Sequence, residues 1–83
     1  MDGMHRDTLE AIFADPVPSI EWSAIEDLLL LIGCDLVQED GDRVTFERDE
    51  AIGSFVRPEQ AHPTRHYTIM AVRDYLMRLG VAP

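Results

Sequence analysis

The stretch Cys34–Pro58, CDLVQEDGDRVTFERDEAIGSFVRP, decides the fold of this chain. It divides into three short runs at two turn signals, Asp40-Gly41-Asp42 and Asp49-Glu50. The middle run, RVTFER, is the clearest. Val44 and Phe46 fall on one side of a period-two pattern, and Arg43, Thr45 and Glu47 on the other, as a half-buried strand requires. CDLVQE reads as a short strand before it. AIGSFVRP reads as a third strand, weakened by Gly53 and stopped by Pro58. Three strands joined by tight turns make an antiparallel meander with one apolar face.

The flanks supply what covers that face. Upstream, SIEWSAIEDLLLLIGCD carries the strongest helical signal in the chain. Ser23 and Glu26 spell a capping box. Ile25, Leu28, Leu29 and Ile32 recur at helical spacing, and Gly33 stands where a left-handed residue ends a helix. Nearer the start, Asp7 is placed to cap a short helix with Leu9, Ile12 and Phe13 on its apolar face. DPVPS ends it, because two prolines within three residues cannot continue a helix. Downstream, the loop EQAHPTRH leads to a last helix with Ile69, Val72, Leu76 and Leu79 on one stripe, Arg73 and Arg78 off it, and Gly80 as its stop. The predicted order is α-α-β-β-β-α: an α+β fold with helices on one face of a three-stranded antiparallel sheet and the other face open. A single domain spans residues 1–83. Residues 1–4 are expected to lack order, 5–18 to form the first helix and its Pro turn, and 19–83 to form the core.

Charge narrows the function. Sixteen acids oppose seven basic residues, all of them Arg, for a net charge of -9. Non-specific nucleic-acid affinity comes largely from counterion release at phosphates, which needs a positive field, so the total argues against it. The cations are nevertheless concentrated. Arg43, Arg48, Arg57 and Arg65, with His62 and His66, all lie between Gln38 and Tyr67. The one cysteine, Cys34, permits no internal disulfide and no Cys-pair zinc site, and reads as a buried thiol. The start, MDGMHRDTLE, lacks the apolar core of a signal peptide, and LLLLIG is far too short to span a bilayer. A cytoplasmic protein with no membrane association and no cofactor is expected.

Several strings resemble, in order, the HicA family, the toxin half of a bacterial toxin–antitoxin pair, and specifically a subgroup with an extra N-terminal helix. HRDTLEAIFADPVPS looks like that subgroup's opening helix and Pro turn. WSAIEDLLLLIGCDLVQEDGDRV resembles its W-x-x-(I/V)-E-x-L-L…G…GSRV run. SFVRPEQ looks like its F-H-R-P-H-P segment. IMAVRDYLMRLGV resembles its last helix, A-V-x-x-(V/I)-R-x-F-L-x-x-(A/L)-G-(I/V). The resemblance, from about His5 to Val81, implies a fold like the double-stranded-RNA-binding domain. It also implies an mRNA-cleaving ribonuclease neutralised by a HicB-like antitoxin. The departures fall on the histidines. Where RNA-cleaving members have G-S-H, this chain has Asp42 and Arg43 in place of the serine and histidine. Val56 and Glu59 occupy the two histidine positions of F-H-R-P-H-P. The resemblance therefore implies weak or absent cleavage.

Cleavage at a 2′-hydroxyl needs an acid, a base and a cation for the developing charge. Histidine suits the first two, and the planar fork of arginine the third. The candidate acid–base residues are His62 and His66. The candidate phosphate contacts are Arg43, Arg57, Arg65 and Arg73, with Arg43 and Arg57 expected to share a face as an anion clamp. Most have a plainer reading: Arg43 in a solvated ion-pair surface, His62 simply exposed, His66 capping or packing at the entry of the last helix, Arg73 reaching an acid, and Trp22 and Phe55, candidate partner-contacting aromatics, in the core. His62 and His66 have the separation of helical metal ligands, but Pro63 lies between them and no third ligand is evident, so no metal is expected. The strong negative charge suits the alternative function, a non-catalytic module that binds an antitoxin-like or other basic partner. CDLVQE or AIGSFVRP, as an exposed edge, offers a route to a homodimer.

Overall fold

The computed structural model describes residues Met1–Pro83. Its elements run α1 (Gly3–Ile12), α2 (Trp22–Leu31), β1 (Asp35–Asp40), β2 (Arg43–Arg48), β3 (Ala51–Val56) and α3 (His66–Arg78). The three strands form one antiparallel sheet in the order β1-β2-β3, so the α+β meander stands as the sequence pattern predicted. The alternation of β2 sets its layers. Val44 and Phe46 are fully buried beneath the helices, and Phe55 joins them from β3. On the opposite face, Thr45 and Ser54 are register partners whose hydroxyls meet at 2.8 Å in the open. No helix is long and apolar enough to cross a membrane.

The helices bury Ile12 from α1, Ile25, Leu28 and Leu29 from α2, and Val72, Tyr75 and Leu76 from α3. The Phe55 ring contacts those of Trp22 and Phe46 at a tilt and that of Tyr75 edge-on, with centroids 5.7 to 6.4 Å apart. Trp22 and Phe55 are thus core residues. Tyr75 approaches the sheet closely because position 53 has no side chain. A Cβ on Gly53 would stand 2.8 Å from both the Tyr75 and the Phe55 ring. The Tyr75 hydroxyl then reaches the Ala51 carbonyl at 2.8 Å. Burial pushes its pKa up from 10.0 to about 12.

α2 and α3 end in the same way. The Gly33 and Cys34 N–H groups donate to the Leu30 and Leu29 carbonyls, and those of Gly80 and Val81 to Met77 and Leu76. This is the Schellman arrangement, with each glycine at positive φ. The β2–β3 turn is built less comfortably. Asp49 and Glu50 both take positive φ, as a two-residue hairpin of that hand demands.

The starts of the helices differ from the sequence reading. α1 begins at Gly3, and Asp2 rather than Asp7 caps it, its carboxylate accepting from the His5 N–H at 2.9 Å. Residues 1–4, expected to lack order, thus include a cap and the first turn. α2 begins at Trp22, one residue before Ser23. Glu21 holds the cap position without a side-chain bond, so Ser23 and Glu26 form no capping box. The S-x-x-E spacing was present, but Ser23 already lies inside the helix. β1 also departs from expectation. The sequence predicts a strand opening with Cys34, yet the strand begins at Asp35 and all six of its residues are exposed. The pairing slips between Leu36 and Gln38, leaving Val37 in a bulge. Cys34 itself is buried just before the strand, and burial pushes its thiol pKa up.

Candidate functional site

The proposed anion clamp does not assemble. Arg43 opens β2 on the uncovered face, in register with Asp40 and Val56. It is exposed and makes no ion pair or side-chain hydrogen bond. Arg57 follows Val56, the register partner of Arg43, so strand alternation puts it on the other face of the sheet. There it reaches the β1–β2 turn. Its N–H donates to the Asp42 carbonyl at 2.7 Å, and its guanidinium donates to the Gly41 carbonyl at 2.7 Å and pairs with Glu39. Glu39 is in register with buried Val44, so this clasp lies on the helix-facing side. The two arginines therefore serve opposite sides of the sheet. On the open face, Arg43 shares its surroundings with Asp35, Asp40 and Glu47, which leaves that face net acidic.

Arg73 has a structural task. Nε donates to the Ile12 carbonyl at 2.9 Å and Nη2 to the Ala14 carbonyl at 3.0 Å, while the guanidinium carbon lies 5.7 Å from the Phe13 ring centroid. A cation at a helix C-terminus satisfies carbonyls that the helix cannot, so Arg73 fastens α3 to the end of α1. The acid that sequence reasoning expected as its partner is replaced by main-chain carbonyls.

The loop before α3 brings the remaining candidates partly together. Thr64 anchors it, its N–H donating to the Ile20 carbonyl at 3.0 Å. Arg65 holds the cap position of α3, exposed and without a side-chain cap bond. His62 and Arg65 line one hollow of about 230 Å³ with Glu59. The His62 ring stands 4.0 Å from the Glu59 carboxylate, too far for a hydrogen bond. Arg57 and Arg65 line a second hollow of about 350 Å³ with Asp42, Glu59 and Tyr67. His66 begins α3 and lines a third hollow, with Asp15, Met70 and Arg73. His62 and His66 share none of these hollows. No group of three or more His, Cys, Asp or Glu side chains is placed to hold a metal ion.

The Arg57–Glu39 clasp and exposed Tyr67 were missed in the sequence. Strand alternation sets Arg57 on the face opposite Val56, but its partners Glu39 and Gly41 come from another strand and turn, and nothing local names them. Tyr67 sits in the first turn of α3, where periodicity alone gave no reason to single it out. Compared with known proteins, the chain matches no family model, no curated protein and no solved structure.

Proposed function

We propose that the chain is a HicA-like, toxin-related protein of a bacterial toxin–antitoxin pair that acts in the cytoplasm by binding a protein partner, a HicB-like antitoxin by that resemblance, with RNA cleavage weak or absent. The observation that carries this reading is the engagement of Arg57 and Arg73 with main-chain carbonyls. Phosphoryl chemistry needs an acid–base group and a free cation aimed at one phosphate. Here two of the four candidate arginines support the fold, and Arg43 lies among acids. A protein partner needs only surface complementarity, which a net charge of -9 supplies toward a basic chain.

A second reading, a ribonuclease with a relocated histidine, draws on one observation: His62 and Arg65 border the same hollow. Induced expression with total RNA followed in parallel separates the two, using the natural chain, His62→Ala and His66→Ala. The binding reading expects normal growth and intact RNA for all three. Growth arrest with RNA decay that one histidine substitution removes would replace it with the ribonuclease.

A further inference from the structure

The sheet has two edges, and the fold treats them oppositely. Along β3, side chains of α3 reach three of the six carbonyls. Tyr75 donates to the Ala51 carbonyl, Arg78 to the Ile52 carbonyl at 3.2 Å, and Thr68 to the Val56 carbonyl at 3.0 Å. Along β1, no hydrogen bond reaches the strand backbone from any element but β2. The strand is exposed throughout, including two apolar side chains, Leu36 at 42% and Val37 at 52%.

An open edge is a template for another strand, and its side chains select which one. Three of the six β1 residues are acids: Asp35, Glu39 and Asp40. A second copy pairing there would set acids against acids, which opposes homodimerisation through this edge. Glu39 is already neutralised by Arg57. That leaves Asp35 and Asp40 as free carboxylates near the two ends. An unbroken strand would put residues five apart on opposite faces. The bulge at Val37 returns both to the open face, opposite Glu47 and Arg43, which are four apart on β2. A regular strand laid along the other side of β1 would meet the same spacing.

We propose that β1 is a docking edge that takes an extended, cationic segment of a partner protein as a fourth strand. Two Lys or Arg side chains at i and i+4 would meet Asp35 and Asp40, with apolar residues beside Leu36 and Val37. This deepens the partner-binding reading and rests on it.

The test titrates a ten-residue peptide, alternating valine and threonine with lysine at i and i+4, into the full isotopically labelled chain. The expected result is salt-sensitive binding, with amide shifts and slowed exchange confined to Leu36–Glu39. Replacing both aspartates (Asp35→Arg with Asp40→Arg) should weaken binding about tenfold, because exposed charge pairs contribute modestly. Asp40→Asn alone gives a smaller loss in the same direction and serves if the double variant folds poorly. Equal binding of a peptide with glutamate in place of lysine, shifts centred on the hollows or on β3, or no binding would each overturn the proposal. So would concentration-dependent protection of β1 without peptide, which would make the occupant a second copy. These failures leave the growth and RNA results untouched, so loss of this site and loss of the binding reading remain distinguishable.

Discussion

β3 and β1 are the same length, lie at the two margins of one sheet, and were both read from sequence as edges. They have opposite fates. β3 is tied to α3 by three side chains on its carbonyls, with Gly53 and Tyr75 in close contact beneath. The β1 backbone is held by β2 alone, through an interrupted ladder, and Arg57 adds a side-chain tie to Glu39. A strand is closed off by the side chains of whatever element packs next to it, not by its own pattern. Stability therefore concentrates on the β3 side, and accessible backbone on the β1 side.

Substitutions on the two sides sharpen this contrast. Tyr75→Ala should cost about 3–5 kcal/mol, the usual range for emptying a buried aromatic site, whereas Val37→Ala in β1 should stay within about 0.5 kcal/mol. Urea unfolding of the pair measures both, and comparable losses would remove the asymmetry. Gly53→Ala should cost about 1–3 kcal/mol, since the new methyl meets two rings in a packed core. Amide exchange should then quicken across β3 and α3 before it changes in β1.

Cations follow the same division. Arg73→Met should cost about 2 kcal/mol by leaving the Ile12 and Ala14 carbonyls without a charged donor, and exchange should rise at the end of α1. Arg43→Met, on the open face, should change stability by at most about 0.5 kcal/mol. Tyr75→Phe, which deletes only the bond to Ala51, should cost about 1 kcal/mol. It should also alter the pH profile. In the unfolded chain this phenol ionises near 10.0, whereas in the fold it holds its proton to about 12. Its contribution is therefore complete below pH 10 and is lost as pH climbs from 10 to 12. The natural chain should lose stability more steeply than Tyr75→Phe across that window, as thermal melts at successive pH values would show.

The periodic parts of the fold were legible in the sequence. Val44 and Phe46 declared the core face of β2, Ile25, Leu28 and Leu29 that of α2, and Gly33 and Gly80 the helix ends. Those signals are local, and packing reinforced them. The helix starts misled because caps depend on one residue's geometry. Ser23 had the right spacing, but helix begins before it. The candidate site was least legible because the partners of its cations are remote in sequence. Arg73 reaches Ile12, 61 residues away, and Arg57 reaches Gly41, 16 away. Which arginines a fold consumes depends on these distant closures, while Arg43, with nothing to reach, stays where alternation put it.

The missing side chain at position 53 influences how many strand-binding valences the molecule has. With Tyr75 seated against Gly53, α3 stays close enough to hold three β3 carbonyls, which disfavours a further strand on that edge. A larger residue at 53 that lifted α3 away would expose a second edge. The β3 of one copy would then be free to add to the β1 of the next, a head-to-tail contact with no symmetry to close it. A change made entirely inside the core would thereby raise the tendency toward open-ended association.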